Sequence, residues 1–278
     1  MADTILTFNG VTSAELGFVV ERVGEIPTAE RKVDEYDIPG ANGKLFMSQD
    51  AFYNVTVTYD IYFHSRNFNN VPASYVGRNP KSLQHAASVL NKWLFAEKGY
   101  QQLTDSNDPL YYREAVAKKN GNIENILRKY GKYQITFDCK PQRFRHLSTV
   151  YSDISIYGRV GMLPFNNLTP LTLNSSEPEQ FLPSKPLIWV ASNTAGADAM
   201  LTVNGINYQI DNMPVGGVWI DCEKMVVTNF LKTKLANDCW HGIEFPELYG
   251  DAENELEIIN GGVTTGTAGL IAPRWFTL

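Results

Sequence analysis

The side chains in this chain with reactive chemistry to offer are four histidines, three cysteines and 30 carboxylates. His64, His85, His146 and His241 are scattered, and none falls into HExxH or another metal-binding spacing. Cys139, Cys222 and Cys239 are odd in number and lack CxxC spacing, so they read as reduced, mostly buried thiols of a protein made in a cytoplasm. There is no GxSxG, no P-loop, and no GxGxxG between a strand and a helix. Glu244 and Glu247 are a carboxylate pair of the kind glycosidases use, but sequence does not give their separation, and with so many acids a chance pair is the safer reading. Asp251, Glu253, Glu255 and Glu257 offer oxygens of the type Ca²⁺ takes; alternation along a strand gives a solvated acidic face just as well. The expectation is no enzyme, no cofactor and no metal.

Contact chemistry is better represented. Trp219, Trp240 and Tyr249 are candidates for stacking on the pyranose face of a sugar, with burial in a core as the competing reading. Tyr111 and Tyr112 are adjacent on an expected strand, where successive side chains face opposite ways. One of them must then be exposed or pack on a neighbour. Tyrosine joins a large apolar area to a polar tip and is favoured at interfaces. Pro39, Gly40, Asn42 and Gly43 form a turn in which glycine permits positive φ and close approach of a partner's backbone. These residues and the two tyrosines are the candidate contacts with a partner chain, another subunit included.

The elements that position them follow from periodicity. Residues 54–63 alternate strictly, with Val55, Val57, Tyr59, Ile61 and Phe63 on one face, as in a strand with one buried side. Residues 4–8 and 17–21 are expected strands with Asn9-Gly10 as a turn signal, whereas 22–35 reads as strand edge and loop, and 66–81 as loop. Leu83, Ala86, Ala87, Leu90, Trp93 and Leu94 recur at helical spacing, predicting one helix over about 82–98 with Ser82 as its cap and Gly99 at its end. Residues 101–104 and 110–116 pair as a hairpin. Tyr133, Ile135, Phe137 and Cys139 mark a strand that Lys140-Pro141 is expected to stop.

Residues 146–166 read as a linker between an N-terminal domain, 1–145, and a C-terminal domain, 167–278. No helix is expected after 150. Strands are expected at 187–190, 218–222, 225–227, 256–259 and 270–275, and Asn204-Gly205 joins 201–203 to 206–210 in a two-residue hairpin. Short strands separated by turns imply a β-sandwich. The fold class expected is mainly β with one helix.

Composition limits the partners. A net charge of −6 without a basic run argues against nucleic acid. No apolar run is long enough to span a bilayer, and residues 1–4 have neither the charge nor the apolar stretch of a secretory signal.

In their order along the chain, several features coincide. They are Pro39-Gly40-Ala41-Asn42-Gly43 with its alternating strand, Lys92-Trp93-Leu94, Tyr111-Tyr112-Arg113-Glu114-Ala115, and residues 135–141. Val218-Trp219-Ile220-Asp221-Cys222, Phe245-Pro246-Glu247-Leu248-Tyr249-Gly250 and Pro273-Arg274-Trp275 complete the series. Over nearly the whole chain the series resembles the distal tail protein family of phages with long, flexible, non-contractile tails. That resemblance implies a ring-forming N-terminal β-domain and a C-terminal galectin-like β-sandwich. It implies a homo-hexameric ring in the virion, at the tip of the tail tube, assembled in the bacterial host cytoplasm. The implied partners are further copies of the chain, the tail tube protein above and the tail-associated fibre or lysin hub below. In some members the outer domain carries receptor-binding proteins or touches host polysaccharide. The His-Asn-Arg and Trp-x-x-Glu-x-Arg pattern of sugar-binding galectins is missing here, so the shape need not bring the activity.

Overall fold

A computed structural model describes residues 4–23, 27–40, 42–64, 83–120, 124–125, 130–146, 155–156, 159–160, 162–166, 170–175, 180–263 and 268–278. The expected loop at 66–81 and the Ser82 cap lie outside them. The fold is mainly β, with one α-helix among the described residues. The chain divides into two compact units, Met1–Arg143 with Leu278, and Phe144–Thr277.

The first unit contains strands β1 (Leu6–Phe8), β2 (Val11–Thr12), β3 (Phe18–Val23), β4 (Arg31–Asp37), β5 (Lys44–Phe52) and β6 (Val55–His64). Helix α1 (Leu83–Phe95) follows, then β7 (Gln101–Asp105), β8 (Tyr111–Asn120), β9 (Glu124–Asn125) and β10 (Tyr130–Arg145). Its main sheet runs β2-β1-β7-β8-β10-β6-β3, and a Thr4–Val20 bridge brings its two ends together, so the sheet curls back on itself. Antiparallel pairing sets Ile61, Tyr59, Val57 and Val55 opposite Tyr133, Ile135, Phe137 and Cys139, and all eight side chains are buried in one core. The alternation read along 54–63 is therefore the inner face of this sheet. Trp93 closes the core from α1: its indole N–H donates to Phe8 O at 3.1 Å, and its ring stacks on Phe18.

Three local expectations are corrected. Asn9-Gly10 turns β1 into the short β2 before β3 begins, and both residues take positive φ. Pro141 does not stop β10, which continues to Arg145. Pairing with β6 ends at Cys139↔Val55, so the missing proline N–H lies beyond that ladder and breaks no bond in it. Residues 31–37 and 44–52 form a two-stranded ribbon, β4–β5, where the sequence reading gives strand edge and loop over 22–35.

The second unit opens with β11 (Ser155–Ile156), β12 (Arg159–Val160), β13 (Leu163–Phe165) and β14 (Leu171–Asn174). It continues with β15 (Leu187–Val190), β16 (Ala197–Val203), β17 (Ile206–Met213), β18 (Val218–Asp221) and β19 (Val226–Asn229). β20 (Glu253–Asn260), β21 (Gly269–Ala272) and β22 (Phe276–Thr277) complete it. The sheets β13-β21-β15-β18-β19 and β14-β20-β16-β17 share one core, with Ile188, Val190 and Ile220 from the first and Leu201, Ile210 and Leu256 from the second, which makes a β-sandwich. β13 pairs with β21, so residues 163–165 of the stretch read as linker are part of this sandwich. The Asn204-Gly205 hairpin forms as read, with φ of 51° and 80°.

Arg274 ties the C-terminal segment to β18. Its guanidinium lies 2.8 Å from Asp221 and 3.5 Å from Glu223. Burial penalises the Asp221 carboxylate, but the hydrogen bond and charge of Arg274, with Lys224, outweigh it and hold the carboxyl below its ordinary value. A depressed pKa adds stability above the ordinary carboxylate range that is lost as pH falls through the lowered value. Arg274→Met should therefore lower the melting temperature at pH 7, and the gap to the wild type should narrow as pH falls through that value. A gap that stays constant across a pH series would show that the Asp221 charge contributes nothing.

Candidate functional site

The Pro39, Gly40, Asn42 and Gly43 turn sits at the tip of the β4–β5 ribbon rather than beside the strand at 54–63, and all four residues are exposed. Gly40 and Gly43 have φ of +83° and +85°, and a Cβ at either would meet nothing within 4 Å. Within the chain these glycines are required by backbone conformation and not by crowding. The ribbon behind them is unusually apolar for an uncovered element: Tyr36 is 52% exposed, Phe46 61% and Met47 55%.

Tyr111 and Tyr112 open β8, in the β7–β8 hairpin read from sequence. Both are half-buried. The Arg143 guanidinium from β10 lies 5.2 Å from the Tyr111 ring centroid and donates to Asp108 at 3.1 Å, so cover for that ring comes from inside the unit.

The three sugar-contact candidates part company. Trp219 is 2% exposed; its ring stacks on Trp189, its N–H donates to Phe230 O, and the Lys232 ammonium lies 4.5 Å from its centroid. Trp240 is half-buried and stacks on Tyr208 and on Phe245, at centroid distances of 5.3 and 5.1 Å with planes 20° and 14° apart. Trp219 therefore presents no face to a pyranose, and the Trp240 ring is already engaged by two aromatic neighbours. Tyr249 is 46% exposed. Its backbone N–H and C=O are both held by Asn254, a buried side chain that sequence reading passed over.

Among the described residues no group of three His, Cys, Asp or Glu side chains is arranged to hold a metal ion. Glu253, Glu255 and Glu257 alternate with buried residues on β20 and form a solvated face. Burial pushes the Cys139 thiol up to about 12, and Cys222 is raised further by the same cause, so both are held as neutral thiols. Burial lowers the His146 pKa. The side chains of His64 and His85 lie outside the described residues. No helix among those described is long and apolar enough to cross a membrane.

No protein-family description and no curated protein matches the sequence. Solved structures do match. One is the crystal structure of the Dit protein of phage SPP1, described as a paradigm of the hub adsorption apparatus in phages infecting Gram-positive hosts. The match has a TM-score of 0.58 at 9% identity and covers 97% of this chain and 98% of that one. Another is a chain of the phage P2 baseplate in its activated conformation with Ca, with a TM-score of 0.55 at 9% identity, covering 98% of each chain. Across both of its units, this chain has the fold of those hub and baseplate proteins.

Proposed function

We propose that the chain is a structural protein of a phage virion. It forms the distal tail ring at the tip of a long non-contractile tail and joins the tail tube to the host-adsorption apparatus. The observation that carries this reading is a shared fold over 97% of this chain and 98% of the SPP1 hub protein, which leaves neither unit unaccounted for. The partners in this reading are other copies in a homo-hexamer, the tail tube protein, and the fibre or lysin hub below. A receptor-binding protein or host polysaccharide meets the second unit. The protein is synthesised in the host cytoplasm, and its role is not enzymatic.

A closed ring needs a heterologous interface, one patch meeting a different patch on the next subunit. The 38–43 tip and the β7–β8 hairpin are the two patches assigned here. Negative-stain images of the purified protein should show six-fold rings, with a light-scattering mass well above the 31.2 kDa chain. A monomer at every concentration, alone and with tube protein, would refute the reading. Tyr111→Ala and Tyr112→Ala separate the roles of the hairpin. The tyrosine at the interface should weaken assembly by about 1–2 kcal/mol per contact. If both variants lower the melting temperature and neither changes the ring fraction, the hairpin belongs to the monomer alone.

A further inference from the structure

At one end of the second unit two loops turn apolar side chains outward. One is 214–217, between β17 and β18, and the other is 230–235, after β19. Val215 is 66% exposed, Phe230 37%, Leu231 72% and Leu235 71%. The loops touch, since a Cβ on Gly216 would lie 3.1 Å from the Phe230 Cβ. Leu235 stands at the base of the second loop, bridged to Thr228.

The two loops are held from beneath by buried tryptophans. Trp189 donates its indole N–H to Gly216 O and Trp219 donates to Phe230 O, each at 3.0 Å, and the two rings stack on each other. Asn229 fixes the second loop from within. Its side-chain oxygen accepts from Thr233 N at 2.9 Å and Lys234 N at 3.1 Å, and its backbone carbonyl accepts from Lys232 N at 2.8 Å. Lys232 takes a φ of 56°, unfavourable for a residue with a side chain, and lays its ammonium 4.5 Å from the Trp219 centroid. The loop is thus inside out, with an ammonium turned onto the protein and leucines turned to water. A surface loop without a partner gains by the opposite arrangement.

We infer that the two loops form a docking knob for a second protein of the assembly, whose contact surface is an apolar pocket rimmed by carboxylates. The inference rests on the proposed function, in which a receptor-binding protein or host polysaccharide meets the second unit, and at this surface it selects protein. Branched aliphatic side chains offer a pyranose neither a ring to stack on nor a hydrogen bond. Charge selects the rim. Residues 212–219 and 226–237 hold two lysines and no carboxylate, in a chain of net charge −6, so the tip attracts an acidic partner. An anionic bilayer fits less well, because one of the two ammonium groups is already engaged with Trp219 and two lysines supply little surface adhesion. Loops fixed before binding suit a pocket, since they need no further ordering.

The test uses phage particles built with the full-length protein. With p-benzoylphenylalanine at residue 231, irradiation should link the chain to a different virion protein, at a peptide with apolar residues beside Asp or Glu. The same group at residue 206, 56% exposed on β17, should give no such link. Leu231→Ser combined with Leu235→Ser should lower the ratio of that partner to this chain in particles by at least about fivefold. The purified double variant should keep the wild-type melting temperature, because both leucines are already exposed. Lys234→Glu should lower the ratio as well, and an unchanged ratio overturns the carboxylate rim. No link from 231, links to copies of this chain alone, equal linkage from 206, or an unchanged ratio in the double variant overturns the docking. Sedimentation of the wild-type chain with phosphatidylglycerol vesicles, lost in the double variant, also overturns it and assigns the tip to a lipid surface. Particles without the chain would instead overturn the proposed function.

Discussion

Trp93→Ala should be the most damaging single truncation in the first unit. It should lower the melting temperature of that unit by roughly 10–15 °C at the size scaling expected for some 140 residues. The indole is 3% exposed, meets Phe8 edge-on at 6.2 Å, and stacks on Phe18 at 6.4 Å with planes 11° apart. Removing such a side chain costs about 3–5 kcal/mol through lost transfer energy and the cavity left behind. The hydrogen bond to Phe8 O adds about 1 kcal/mol, because that carbonyl stays buried without its donor. The sum is a large share of the ~5–15 kcal/mol that holds a typical domain. Trp93→Phe keeps most of the packing and should recover more than half of the loss. Calorimetry reads both variants. A drop below about 3 °C for the alanine variant would mean that α1 is an accessory to the sheet rather than the lid of its core.

Asn254→Ala should be the corresponding lesion in the second unit, at about 2–4 kcal/mol, because it strands several buried groups at once. Asn254 is completely buried. Its amide donates to Tyr249 O at 2.8 Å, Ala252 O at 3.0 Å and Leu173 O at 3.4 Å. Its carbonyl oxygen accepts from Tyr249 N at 2.8 Å and from the Asn204 amide at 3.0 Å. One side chain thus fixes the turn after Tyr249, the strand β14 and the tip of the β16–β17 hairpin. Asn254→Asp has the same shape but faces those carbonyls with acceptor oxygens, so it should cost at least as much at pH 7 as alanine does. Hydrogen exchange of the amides of 249–253 should rise in both variants. A melting temperature within 1 °C of the wild type for Asn254→Asp would show that the network carries little of the energy.

Sequence was informative wherever a face is buried. A half-buried strand must alternate, which is why 55–61 and 133–139 were legible and pair residue for residue in the folded sheet. A helix that covers a core must carry a stripe, and Leu90, Trp93 and Leu94 gave it. Asn204-Gly205 marked its hairpin because two successive residues with positive φ tolerate few other pairs. The likeness to distal tail proteins rested instead on the serial order of short motifs from Pro39-Gly40 to Pro273-Arg274-Trp275, and the fold match at 9% identity agrees with it.

Tertiary structure alone decided the rest. The β4–β5 ribbon was invisible because, among the described residues, its side chains are mostly exposed on both faces, so no alternation was imposed on it. Whether an aromatic ring has a free face depends on neighbours distant in sequence. Trp240 stacks on Tyr208 and Phe245, Trp219 is covered by Trp189 and Lys232, and Tyr249 kept 46% of its surface. Asn254 carries no signal of its own in the sequence, and its role exists only because the fold brings Leu173 and Asn204 to it. Periodicity records which side of an element is buried, and only the three-dimensional path of the chain determines what lies against that side.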